Sequence, residues 1–85
     1  MLERDLQISH PQGLHAQASA KVVQALSGYR SSAFLLAKGR EVNAKSIMGV
    51  MLLAAGPGTT IKARVSGEDE AECMAALVAL FDSGF

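Results

Sequence analysis

Between Thr60 and Ser66 the chain alternates without a break, with Ile61, Ala63 and Val65 on one side and Thr60, Lys62 and Arg64 on the other. Successive side chains of a strand point to opposite faces, so this segment predicts a sheet with one apolar and one solvated face. The apolar face needs a cover, and helical periods elsewhere in the chain supply it. Ala16, Ala20, Val23 and Leu26 recur at helical spacing ahead of Gly28, while Gln17, Lys21 and Gln24 share another face. Ala71, Met74, Ala75, Val78 and Phe81 form a second inward stripe. Between them, Ser46 caps a short helix of Ile47, Met48, Val50, Met51, Leu52 and Leu53 that is expected to close near Gly56-Pro57-Gly58.

The remaining segments read as strands. Leu2, Leu6 and Ile8 alternate, with Arg4 interrupting the apolar series, before the His10-Pro11-Gln12-Gly13 connection. Ser32 to Ala37 and Arg40 to Asn43 flank a tight Lys38-Gly39 turn and predict a hairpin. Glu68, Asp69 and Glu70 complement the dipole of the last helix. The order strand, helix, strand, strand, helix, strand, helix implies a two-layer α+β fold with three helices on one face of the sheet. Eighty-five residues, 49% of them apolar, are enough for one domain, spanning 1–85, with a single core. Periodicity leaves the strand order open.

Composition excludes several functions. Eight basic and eight acidic side chains cancel, so no overall charge draws the chain to nucleic acid or an anionic membrane. Tyr29, Phe34, Phe81 and Phe85 do not interleave with basic residues as a nucleic-acid platform would. The absence of a membrane-spanning run or an apolar leader predicts a cytoplasmic protein without membrane insertion. Cys73 stands alone, which rules out an intrachain disulfide and suggests a small buried hydrophobe. His10, His15 and Cys73 lack zinc-site spacing, and there is no P-loop or dinucleotide fingerprint. No metal, nucleotide or other cofactor is expected.

The segment carrying chemistry is Gly13-Leu14-His15-Ala16-Gln17-Ala18-Ser19, which puts an imidazole at the mouth of the first helix. A helix start leaves backbone N–H groups without partners and carries a partial positive charge, so anions are favoured beside His15. A neutral imidazole with one ring nitrogen free to attack phosphorus, beside an anion cradle, suits phosphoryl transfer. The second helix adds a different feature. Ile47, Met48, Val50, Met51, Leu52 and Leu53 span too wide an arc to face inward together, so part of this apolar surface is expected to stay exposed for docking.

Gly-Leu-His-Ala followed by Ala18-Ser19 is similar to the active-site segment of the HPr family, the histidine phosphocarriers of the bacterial phosphotransferase system, written G-L-H-A-R-P-A or with Ala-Ser at its end. Ser46-Ile47-Met48-Gly49-Val50-Met51 resembles the regulatory-serine segment of HPr proteins from bacteria that possess an HPr kinase. The resemblance extends over nearly the whole chain. It implies an open-faced β-sandwich: a four-stranded antiparallel sheet covered on one face by three helices. It further implies a carrier, not an enzyme, that forms a transient phosphohistidine at Nδ1 of His15, with the backbone N–H groups of Ala16 and Gln17 toward the phosphate. Enzyme I would be the donor and an enzyme IIA domain the acceptor, in sugar uptake or a regulatory branch. Ser46 would be the target of an HPr kinase/phosphorylase. Gln17, Ala20, Lys21 and Gln24 on the first helix, with Ile47, Met48, Met51 and Leu52 on the second, would form the partner interface of a monomer. Gln17 departs from the family motif, which has arginine there, and the departure implies slower transfer. An alternative reading is therefore an HPr-like regulatory docking protein controlled through Ser46, with weak transfer at His15. An unrelated α+β interaction domain is the third, and it would take no phosphate from enzyme I.

Overall fold

The computed structural model describes residues 1–9, 11, 13–53 and 55–83; the readings made on His10, Gln12 and Phe85 lie outside them. Four strands form one sheet: β1 (Leu2–Gln7), β2 (Ser32–Ala37), β3 (Arg40–Asn43) and β4 (Thr60–Ser66). The order is β1-β4-β2-β3, and every neighbouring pair is antiparallel. Lys38 and Gly39 join β2 to β3 with φ of 53° and 76°, the left-handed pair that a two-residue hairpin turn requires. Ile61, Ala63 and Val65 are buried, as the alternation predicts. The opposite face is open, and Arg64 bridges Glu3 at 2.8 Å and Glu41 at 3.2 Å across it. Phe34 and Leu36 also lie on that face, opposite the buried Leu35, so Phe34 is a half-buried sheet residue and not part of the core.

Three helices cover the inner face: α1 (Ala16–Leu26), α2 (Ile47–Leu52) and α3 (Glu70–Asp82). Helix α3 packs on β1 and β4, α2 lies beside β3, and α1 packs against both other helices. The buried side chains form one cluster, with Leu26, Leu35, Leu53, Ile61 and Leu77 among its largest members.

The inward stripes of two helices differ from those expected. In α1 the buried residues are Ala18, Ser19, Val22 and Leu26, whereas Ala16 is exposed and Ala20 and Val23 are half-buried. In α3 they are Cys73, Met74, Leu77 and Phe81, with Ala71 and Ala75 exposed and Val78 half-buried. Alanine gains little from burial compared with leucine or phenylalanine, so an alanine-rich period defines a helix but not its phase. The larger side chains and the neighbouring helices set the rotation. Helix α2 is also shorter than its apolar run: it ends at Leu52, Leu53 turns into the core, and Ala55 follows it there. Leu2 ends the edge strand β1 partly exposed instead of joining the core.

Candidate functional site at the start of two helices

His15 is the N-cap of α1, with an extended backbone (φ −79°, ψ −179°) and a half-buried side chain. Its Nδ1 accepts the backbone N–H of Gln17 at 3.2 Å and that of Ala18 at 3.4 Å. A backbone amide can only donate, so Nδ1 must present its lone pair to the helix, and in the neutral ring the proton resides on Nε2. The imidazole thus occupies the role that Ser, Thr or Asp usually fills at a helix start. Of the two amides expected toward the phosphate, that of Gln17 donates to the ring here; the second donor to the ring is Ala18, two residues beyond Ala16. The first turn of α1 contains no acidic residue, so its partial positive charge is not compensated from within.

The segment leading into His15 is tied to the chain that follows α2. Leu14 is buried and its N–H donates to the Ala55 carbonyl at 3.0 Å, while the His15 N–H donates to the Gly13 carbonyl at 3.0 Å. Sequence reasoning missed this buttress, since nothing in the composition around Ala55 marks it.

Ser46 caps α2 as expected. Its backbone is extended (φ −117°, ψ 118°), its exposed Oγ accepts the Gly49 N–H at 3.1 Å, and α2 also lacks an acidic residue in its first turn. Lys45, just before it, donates through Nζ to the Tyr29 carbonyl at 2.6 Å. At the other end of α2, the Arg40 guanidinium donates to the Leu52 carbonyl at 3.0 Å. This short helix is therefore anchored at its start by the lysine that precedes its own cap, which reaches the Tyr29 carbonyl, and at its end by the guanidinium of Arg40 from β3. Between these anchors Ile47, Met48, Met51 and Leu52 stand exposed, Met48 at 74%, while Val50 is buried. On α1, which packs against α2, Gln17, Lys21 and Gln24 are exposed and Ala20 is half-buried.

The start of α3 is built differently. Glu70 and Glu72 lie in its first turn, and the N-cap Asp69 makes no capping bond. Its carboxylate instead accepts the Ser31 hydroxyl and the N–H groups of Arg30 (2.8 Å) and Ser31 (2.9 Å). These bonds, that of the Ser31 hydroxyl foremost, lower the Asp69 carboxyl to about 2. Burial pushes the Cys73 thiol up, in keeping with a small core residue. No helix is long and apolar enough to cross a membrane among the described residues.

Comparison with known proteins bears directly on this arrangement. Residues 2–83 match the family model for the PTS HPr component phosphorylation site. A phosphocarrier protein HPr from Xylella fastidiosa strain Temecula1 is 56% identical over 85 residues, covering 100% of this chain and 96% of the relative. A crystal structure of HPr-C-His from Thermoanaerobacter tengcongensis gives a TM-score of 0.95 at 40% identity, covering 100% of this chain and 96% of that one. An HPr-like protein Crh from Halalkalibacterium halodurans is 42% identical over 82 residues, 96% of this chain and 98% of the relative. The similarity to the phosphocarrier thus exceeds that to this Crh protein, which favours the carrier reading over the regulatory one. With the family match running over nearly the whole length, the chain belongs to the HPr family and is a phosphocarrier of the phosphotransferase system, not a catalytic enzyme.

Proposed function

We propose that His15 is the residue that carries the phosphoryl group, taking it from enzyme I and passing it to an enzyme IIA domain. The observation that carries this reading is the orientation of Nδ1, whose lone pair faces two backbone donors at an uncompensated helix start. In the transfer, that lone pair attacks phosphorus; the bond from phosphorus to the donor's leaving atom breaks, and its electron pair stays with the donor. No proton has to leave Nδ1 first. The N–H groups of Gln17 and Ala18 then pass from the ring nitrogen to the phosphoryl oxygens. A helix start favours an anion by about 0.3–1 kcal/mol when exposed and by about 2 kcal/mol when partly buried, enough to hold phosphate without trapping it.

The docking surface in this reading combines Ile47, Met48, Met51 and Leu52 with Gln17, Ala20, Lys21 and Gln24. Exposed methionines adapt to more than one partner, as a carrier serving a donor and an acceptor needs. Ser46 is proposed as a second modification site, because its exposed hydroxyl lies among N–H donors at a start equally free of acids. An HPr kinase/phosphorylase would be its enzyme. A cytoplasmic, monomeric protein acting without a cofactor completes the reading.

Intact-mass measurement after incubation with enzyme I and phosphoenolpyruvate, before and after mild acid, tests the assignment. An acid-labile adduct is expected on the wild-type chain and on His10→Ala and none on His15→Ala. Undiminished labelling of His15→Ala would end this reading.

A further inference from the structure

We infer that Gly13 is a positioning residue for phosphoryl transfer, setting the imidazole at a fixed offset from the docking face of α2 through its contact with Ala55. The inference rests on His15 being the phosphate acceptor. Gly13 has a φ of +67°, and a Cβ there would lie 2.4 Å from the Ala55 carbonyl oxygen and 2.9 Å from Gly56 Cα. Both are backbone atoms, so neither can rotate aside as a side chain would. The same Ala55 oxygen accepts the Leu14 N–H at 3.0 Å, and Leu14 is buried, so the residue after Gly13 is fixed as well. His15 then closes the turn through its N–H to the Gly13 carbonyl before capping α1.

The buttress belongs to the docking helix. Leu53 and Ala55, which follow α2, are both buried, so the Ala55 carbonyl is placed by the segment that ends the helix carrying Met48, Met51 and Leu52. One oxygen thus receives the Leu14 N–H and fills the space a side chain at position 13 would need. A methyl group at Gly13 must push residues 13–15 and 55–56 apart. The docking residues of α2 remain available to the partner, while the imidazole no longer meets the phosphorus at the right offset. Binding and chemistry are therefore expected to separate.

The test is the rate of phosphate transfer from enzyme I to Gly13→Ala, at a temperature where circular dichroism shows the variant folded. A misplacement of about 1 Å costs on the order of 100-fold, so kcat is expected to fall by about that factor while KM stays within about threefold. Gly67→Ala serves as the control. Gly67 also has a positive φ (+151°), and a Cβ there would lie 2.6 Å from Ser31 Cα, but it precedes α3. That variant is expected to lose stability and keep the wild-type kcat. Equal kcat losses in the two variants, or a rise in KM with kcat unchanged, would overturn the inference. If Gly13→Ala does not fold, replacing the Leu14 amide by an ester deletes the bond to Ala55 and weakens the Gly13 carbonyl that accepts the His15 N–H, loosening both contacts that place the imidazole; a lower kcat at unchanged KM supports the inference, and a wild-type kcat overturns it. His15→Ala separates the two levels. Labelling that persists in it overturns the acceptor assignment and this inference together, whereas its loss there combined with wild-type transfer by Gly13→Ala overturns the inference alone.

Discussion

The starts of α1 and α3 face the same electrostatic problem and solve it in opposite ways. At α3 the first turn carries Glu70 and Glu72, so the helix end is compensated by fixed negative charge. Its N-cap Asp69 is turned away to hold the loop before β2. At α1 no acid is present in the first turn, and the N–H groups of Gln17 and Ala18 donate to the Nδ1 lone pair of His15. The α3 start is closed and serves the fold; the α1 start, free of acids, is in the proposed reading open to an anion that arrives and leaves. Helix α2, acid-free in its first turn and capped by the Ser46 hydroxyl, belongs with α1. In the proposed reading, a permanent carboxylate at either of these acid-free starts would occupy the place of the phosphate.

The comparison sharpens most at Gln17, exposed in the first turn of α1. Gln17→Arg adds a cation where only backbone donors now act. A hydrogen bond to a charged group contributes about 1.5–3 kcal/mol, so its full use in the transition state corresponds to a roughly ten- to hundred-fold faster transfer. Stabilising ground-state phosphohistidine as well shrinks that gain. Stopped-flow transfer from enzyme I reads the effect, and unchanged forward and onward rates would show that Gln17 is not the weak point.

Ala16→Glu, also at an exposed position, breaks the comparison by making α1 resemble α3. The carboxylate stabilises the helix by about 0.3–1 kcal/mol, seen as a higher Tm. Its repulsion of the phosphoryl group, on the order of 1–4 kcal/mol at contact range, slows transfer at least about fivefold. A variant that is both more stable and equally fast would remove the reason for an acid-free start. At α2, Ser46→Asp keeps a competent cap while placing a charge beside Ile47 and Met48. A charge at an interface rim changes binding by up to about 1 kcal/mol, hence a roughly two- to fivefold weaker affinity for enzyme I by calorimetry, with an unaltered circular dichroism spectrum. Retained affinity counts against Ser46 as a switch.

Asp69→Asn is expected to leave transfer unchanged and to act on stability alone. The folded carboxyl is lowered to about 2 from an ordinary value of 3.8. The stability it contributes is therefore present above about pH 4 and disappears as pH falls through about 2. Thermal unfolding across that window should show wild-type and Asp69→Asn chains differing at neutral pH and converging near pH 2. A constant difference at all pH values would show that Asp69 does not act through its charge.

Much of the site was legible because it is local. A histidine placed between a strand period and a helix period becomes an N-cap whatever the remainder of the chain does, and the same holds for Ser46. The wide apolar arc of α2 likewise announces that Ile47, Met48, Met51 and Leu52 cannot all be buried along with Val50 and Leu53. Apart from Ala18, the local second donor to the ring, what escaped detection was relational: the Arg40 clamp on Leu52 and the Ala55 carbonyl beneath Gly13.

The sequence by itself determined the kinds of element, the bounds of β2, β3 and β4, the turn at Lys38-Gly39 and the two open helix starts, because period, turn conformation and capping involve residues a few positions apart. Only the tertiary structure decided the strand order β1-β4-β2-β3, the buried faces of α1 and α3, the clasp of Asp69 on Ser31 and the seat of Gly13 against Ala55. Each of these joins segments distant in the chain. An alanine-rich period has no phase until larger side chains find a core, and a carbonyl becomes a buttress only when the backbone it supports is brought against it.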